Sequence, residues 1–89
     1  MAVINGSLIS VGNDHYICVD NVIAILKVGR NPSAPIKRLI DSLPEECVLD
    51  LTNKKGTKSL IVMRDANYIR SCLSASVVAR RVAEAKLII

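Results

Sequence analysis

The sequence predicts a single α+β domain: a small antiparallel β-sheet, one central amphipathic helix and a C-terminal helix, in the approximate order ββαβββα. Three observations predict it. Short runs rich in Val, Ile and Leu alternate with turn residues, which is typical of strands. Residues 34–43 and 74–89 instead space their apolar side chains with the period of a helix. The length of 89 residues fits one domain, residues 1–89.

The N-terminal third predicts a strand at residues 7–12 and a turn at Gly12-Asn13-Asp14. A second strand is predicted at 16–19, which Asp20-Asn21 interrupts and which resumes at 22–28. The run NPSAPIKR then marks the passage from strand to helix. Ser33 is a good N-cap, and Pro35 falls in the first turn, where its missing N–H has no cost. The apolar face of this helix consists of residues at i, i+3, i+4 and i+7, namely Ile36, Leu39, Ile40 and Leu43.

Pro44 ends this helix, and three further strands are predicted at residues 46–52, 57–64 and 68–74. We expect them to form an antiparallel meander. The sequence NKKG, residues 53–56, is typical of a hairpin, with Gly56 available for a positive φ.

The tail, residues 74–89, predicts a helix that Ser74 or Ser76 caps. Its apolar stripe consists of Val78, Val82, Ala85 and Ile89. Leu87 and Ile88 fall outside the stripe, so we expect them to form an oligomer contact, with fraying of the chain end as the alternative.

Composition favours association. Apolar residues make up 51% of the chain, and it contains neither Phe nor Trp. A domain of this size buries only about 60% of its unfolded surface. We therefore expect a homo-oligomer, although a monomer with an Ala- and Val-rich core stays open. The three scattered cysteines suit a reducing compartment, and no signal peptide or membrane span is visible, which predicts a cytoplasmic protein without a membrane partner.

Catalysis and metal binding lack the residues they need. His15 is the single histidine and falls in a predicted turn, while strand alternation directs Cys18 to the opposite face. The carboxylates are dispersed, and Asp50 alone falls in the middle of a predicted strand. No phosphate-binding glycine motif and no zinc-type cysteine spacing occur. We expect a protein that is not an enzyme and that has no metal site and no cofactor.

Charge is concentrated in one segment. Residues 54–81 contain seven bases and one acid, whereas residues 1–53 contain four bases and six acids. Such a field favours polyanions, either nucleic acid or an anionic membrane surface. A protruding hairpin with Lys54 and Lys55 at its tip and Lys58 just inside it could reach a phosphate backbone. The alternative is that these lysines only protect an exposed sheet edge.

Several motifs together resemble the RemA family, the bacterial extracellular-matrix regulatory proteins. SAPIKRLI at 33–40 is similar to the family's signature stretch, and residues 9–26 fit its amino-terminal block. VLDLT at 48–52 fits its acidic strand, NKKGTK at 53–58 falls on its Gly-Arg-Arg hairpin, and LIVMRDANYI at 60–69 follows in register.

The resemblance implies small DNA-binding transcriptional regulators that activate biofilm matrix genes and assemble into ring-like oligomers. This chain departs from the family in its hairpin, where Lys54 and Lys55 keep the charge of the paired arginines but lose the fork that reads guanine. Asn21 takes the place of a base, and a longer loop before the first helix adds Lys27 and Arg30.

We therefore predict a non-enzymatic DNA-binding transcriptional regulator that contacts duplex DNA as a ring-like homo-oligomer. The predicted DNA-binding residues are Lys54, Lys55, Lys58, Arg64, Arg70, Lys37 and Arg38. A structural self-assembly protein with no nucleic-acid role is the alternative. Binding of single-stranded RNA is a third possibility, but it usually needs aromatic platforms, and only Tyr16 and Tyr68 are available.

Overall fold

The structure, a computed structural model, describes residues 8–52 and 56–87, with side chains of the last helix described as far as Ala85. In chain order the elements are β1 (Leu8–Gly12), β2 (His15–Cys18), β3 (Val22–Lys27), α1 (Ala34–Ser42), β4 (Val48–Asp50), β5 (Ser59–Met63), β6 (Tyr68–Ser71) and α2 (Ala75–Leu87). The predicted α+β class is confirmed, and the order agrees with the prediction apart from one additional strand before α1.

Strands β1 and β2 form a separate antiparallel hairpin at the predicted turn. Asn13 and Asp14, between the strands, have φ of 51° and 60°, the left-handed values that a two-residue hairpin loop requires at both positions. Asn and Asp tolerate this conformation better than other residues with a side chain. The local sequence therefore fixes this hairpin.

The other four strands form a mixed sheet in the order β3-β5-β6-β4. Strand β3, for which no partner was predicted, pairs antiparallel with β5. The antiparallel pair β5–β6 agrees with the predicted meander, but β4 pairs in parallel with β6. The predicted meander is therefore wrong at β4, and residues 53–56 do not connect neighbouring strands. Beyond the end of β4, the Leu51 amide donates to the Arg70 carbonyl at 2.8 Å, which extends the pairing with β6 and buries Leu51.

The main core lies on one face of this sheet, beneath β1 and α2. Its buried members are Ile9, Val11, Val19, Leu51, Ile61, Met63, Ile69 and Val78. Val82 and Ala85 of α2 pack against this cluster, as the predicted stripe requires. Ile89, Ile88 and the side chain of Leu87 lie outside the described residues. None of the helices in the described part of the chain has the length and apolar character needed to cross a membrane.

Helix α1 begins and ends where the sequence indicates. Ser33 occupies the N-cap position through its carbonyl, which accepts from the Lys37 amide at 2.9 Å, while its side chain makes no capping bond. Leu43 is extended, as the residue before Pro44 prefers to be. No residue of α1 is buried, so its apolar face lacks a full packing partner within the described chain.

Candidate nucleic-acid interface

Both flanks of the segment that carries Lys54 and Lys55 are held by strand β6. On one side the Leu51 amide bonds the Arg70 carbonyl, and on the other the Lys58 amide bonds the Ser71 carbonyl at 2.9 Å. Lys54 and Lys55 themselves lie outside the described residues. The connection from β4 to β5 therefore leaves and re-enters the sheet at the same end, next to the end of β6.

Lys58, one of the predicted site residues, lies at this end of the sheet. Its side chain is exposed, whereas its backbone bridges two strands because the Lys58 carbonyl also accepts from the Val28 amide at 3.0 Å. A cation on such a fixed backbone can meet an external anion without reorganising the chain.

Arg70 lies beside this end, but its guanidinium already has partners. Nε donates to Thr57 Oγ1 at 2.9 Å, and Nη1 lies 3.6 Å from Asp50 Oδ2. Two of its three nitrogens are thus used within the chain, and the adjacent carboxylate offsets its charge. Arg70 holds the β4–β5 connection through Thr57, so in this structure it positions its neighbours as well as carrying a charge.

Asp50, which the sequence predicts in the middle of a strand, is the last residue of β4, and its side chain is hydrogen-bonded. Its Oδ1 accepts from the Thr52 hydroxyl at 2.5 Å and from the Thr52 amide at 2.9 Å. The hydroxyl bond, the amide bond and the charge of Arg70 together hold the pKa of Asp50 below its ordinary value, and partial burial opposes them. The carboxylate stays ionised near neutral pH and closes the turn that starts the connection.

Arg64 stands apart from this group. Lys58 and Arg64 flank β5 at opposite ends, six residues apart, which corresponds to about 20 Å along a strand. Arg64 Nη2 donates to the Asp20 carbonyl at 3.0 Å, and its amide donates to the Asn21 carbonyl at 2.7 Å. Lys58 and Arg64, two of the predicted residues, therefore lie at opposite ends of the sheet within one chain.

Lys37 and Arg38 are exposed on α1. Lys37 lines a shallow cleft of about 380 Å³ that also includes Arg30 and Asn31. Arg30 in turn lines a larger cleft that contains Lys58. The loop after β3 thus borders both clefts, and the acid Asp41 lines the smaller one together with Arg30 and Lys37.

The predicted set of site residues did not include Lys27 and Arg30. Both line the larger cleft with Lys58. Lys27 lies opposite Ser59 in the β3–β5 register, next to Lys58, and Gly29 turns the chain with φ of +71°. The charge of the loop after β3 was the one sequence feature that could have identified these two residues. That the loop lies near Lys58 follows from the pairing of β3 with β5, which the sequence alone does not reveal.

Comparison with known proteins gives a family match over most of the chain. Residues 8–82 match the family model described as "Extracellular matrix regulatory protein A-like". This range contains every described element up to the middle of α2.

Two similar relatives carry the name "Putative regulatory protein". One, from Microcystis aeruginosa, is 32% identical over 75 residues, which cover 83% of this chain and 81% of the relative. The other, from Fervidobacterium nodosum, is 35% identical over 79 residues, which cover 86% of this chain and 81% of the relative. The similarity thus covers more than four fifths of this chain and of each relative.

Proposed function

We propose that this chain, which belongs to the extracellular matrix regulatory protein A-like family, is a non-enzymatic transcriptional regulator that binds duplex DNA as a ring-like homo-oligomer. Its family is described as regulatory, and both similar relatives are named as regulatory proteins. Lys54, Lys55 and Lys58 contact phosphates in this proposal, and the remaining predicted bases support them.

The observation that carries the proposal is that both flanks of the connection from β4 to β5, which contains the lysines, are anchored to the sheet. Its last lysine, Lys58, is exposed, while backbone bonds to β3 and β6 fix its position. Leu51 fixes the other flank in the same way. Because both flanks lie at the same end of the sheet, we propose that the lysines between them and Lys58 contact a phosphate backbone there.

Apolar surface supports self-association. The apolar face of α1, formed by Ile36, Leu39, Ile40 and the C-cap residue Leu43, is only half-buried in the single chain. Strands β3 and β4 form the two edges of the sheet, and they expose Ile23 (61%) and Leu49 (45%) respectively. Two different apolar surfaces on opposite edges suit a head-to-tail contact, the type of contact that closes into rings.

A ring also strengthens weak binding. One subunit offers few phosphate contacts, but several subunits that engage the same duplex raise the effective concentration of each contact. The substitution of lysine for arginine in the basic segment lowers the capacity for bidentate readout of guanine. We therefore propose that binding depends mainly on phosphates and only weakly on sequence.

Binding of random-sequence duplex DNA tests this proposal. We expect Lys55→Ala and the double variant Lys54→Ala/Lys55→Ala to weaken binding for all sequences alike. Arg80→Ala is the matched control for the single variant, because Arg80 is an exposed base on α2 outside the proposed site. Equal effects of Lys55→Ala and Arg80→Ala would contradict the site assignment.

The uncovered apolar face of α1 also favours a second candidate, a structural self-assembly protein. The purified protein separates the two. A DNA-binding protein of this charge should carry nucleic acid and raise the 260/280 absorbance ratio. An intact oligomer free of nucleic acid, with no affinity for duplex DNA at low salt, would favour self-assembly.

A further inference from the structure

A cleft with a volume of about 660 Å³ lies at the basic end of the sheet. Three separate segments form it: the loop after β3, the run that enters β5, and the start of α2. Its lining residues are Lys27, Gly29, Arg30, Gly56, Thr57, Lys58, Ser74, Ala75 and Ser76.

Three cationic residues and three hydroxyl-bearing residues are among those that line the cleft. Lys27, Arg30 and Lys58 supply three positive charges, and the lining residues include no carboxylate. Among the residues that the structure describes, Arg70 and Asp50 form the one ion pair. The side chains of Lys27, Arg30 and Lys58 form neither an ion pair nor a hydrogen bond with any of these residues. Three cations around one cleft repel one another, and a multivalent anion relieves that repulsion.

Hydroxyl groups add directional donors. Thr57 Oγ1 accepts from Arg70 Nε, so the hydroxyl hydrogen of Thr57 remains available to donate. Ser74 Oγ accepts from the Val77 amide and thereby caps α2. The first amides of a helix have no acceptor within the helix, and here Ala75 and Ser76 carry such amides at the wall of the cleft.

Hydrogen bonds between the segments hold them in place. Ser59 Oγ donates to the Leu73 carbonyl at 2.8 Å and thus ties the start of β5 to the residue before Ser74. Lys58 is bonded to Val28 through its carbonyl and to Ser71 through its amide. The three walls therefore keep their relative positions in the absence of a ligand, which lowers the entropy cost of binding.

We propose that this cleft is a phosphoryl-binding site. Its three cations attract the negative charge of a phosphate group, while the hydroxyls and helix amides can donate to its several acceptor oxygens. Two sources carry such a group: a free phosphate or phosphate monoester, and a backbone phosphate of duplex DNA. The second source rests on the proposed function, because Lys58 belongs to both surfaces; the first does not.

Inorganic phosphate is the probe for the first source. Titrated into the full chain at constant ionic strength with chloride as the balancing anion, phosphate should shift the amide resonances of Gly29, Gly56 and Ser76 saturably. Arg30→Gln should raise the dissociation constant at least about tenfold, because it removes a charge-assisted hydrogen bond to the anion. Arg80→Gln, which removes a base outside the cleft, should leave the dissociation constant unchanged.

A salt titration of duplex DNA binding by Arg30→Gln examines the second source. If the cleft holds a backbone phosphate, this variant should reduce the slope of log K against log salt, by about 0.9 for each phosphate that it no longer neutralises, whereas Arg80→Gln should not. Saturable phosphate binding with unchanged DNA binding by Arg30→Gln would assign the cleft to a free phosphate compound.

The proposal is overturned if phosphate produces no saturable shift and Arg30→Gln does not alter the salt slope. It is equally overturned if Arg30→Gln and Arg80→Gln have the same effects, because general electrostatics would then explain both. A failure of the proposed function is distinguishable, since a wild-type chain that does not bind DNA can still bind phosphate in the first titration.

Discussion

Arg70 and Asp50 lie opposite each other on the parallel strands β6 and β4, with Arg70 Nη1 3.6 Å from Asp50 Oδ2. Both side chains are partly exposed, so the ion pair alone stabilises the fold by less than about 1 kcal/mol. Its importance lies in its connections: Asp50 accepts from Thr52 and Arg70 donates to Thr57, on the two flanks of the basic segment.

Asp50→Ala should destabilise the chain by about 1–2 kcal/mol at pH 7, because it removes the acceptor for both bonds from Thr52. The effect should depend on pH. Since the pKa of Asp50 is below its ordinary value of 3.8 in the folded chain, its contribution is full above that value and is lost as pH falls through the folded pKa. Denaturant unfolding at pH 7 and pH 3 measures this; an equal difference between wild type and variant at both pH values would contradict it.

Thr57→Val should weaken DNA binding without changing the net charge. The substitution keeps the shape of the side chain but removes the acceptor that Arg70 Nε uses at 2.9 Å. We expect a loss of affinity of a few-fold, together with a stability loss of about 1 kcal/mol. Fluorescence anisotropy with a labelled duplex and denaturant unfolding measure the two effects. Unchanged DNA affinity would show that the tether does not position the basic segment.

Ser71→Ala should destabilise the chain by about 1–3 kcal/mol, because Ser71 is fully buried and its hydroxyl joins β6 to β1. Ser71 Oγ donates to the Val11 carbonyl at 2.7 Å and accepts from the Leu73 amide at 3.0 Å. Ser33→Ala is the control: Ser33 occupies an N-cap but makes no side-chain bond, so its loss should be under about 0.5 kcal/mol. Equal losses in the free energy of unfolding for the two variants, measured by thermal or denaturant unfolding, would contradict the roles assigned to Ser71 and Ser33.

Leu39→Glu should lower the mass of the oligomer. Leu39 belongs to the apolar face of α1, which the described chain leaves half-exposed. A charge there opposes burial against a second copy but disturbs no buried core. Lys37→Glu places the same charge on the polar side of the same helix and should leave the mass unchanged. Light scattering coupled to gel filtration measures both; an unaltered mass for Leu39→Glu would remove α1 from the interface.

Local signals in the sequence predicted most of the secondary structure. Asn13-Asp14, Pro35 and Pro44 act on the backbone within one or two residues, so their effects can be derived without knowledge of the fold. The pairing of β4 could not be derived in this way, because NKKG is equally compatible with a hairpin and with a crossover. Leu51, buried beside the end of β6, settles the choice through a contact between residues distant in the chain.

The candidate site was predictable only in part, because local signals in the sequence do not show which distant residues meet. The segmental charge singled out Lys58, whose side chain is exposed in the structure. It did not reveal that Arg70 is committed to Asp50 and Thr57, nor that Lys27 lies beside Lys58 across the β3–β5 pair. Those relationships depend on strand register, which charge counts do not contain.

The most direct test of the account is a salt titration of binding to random-sequence duplex DNA by the wild type and by Lys54→Ala/Lys55→Ala, with oligomer mass measured on the same samples. We predict a steep fall of wild-type affinity with salt, and a weaker affinity with a shallower slope for the variant at unchanged mass. The same affinity and slope for both proteins would contradict the proposed interface. An intact wild-type oligomer that does not bind DNA at low salt would contradict DNA binding itself.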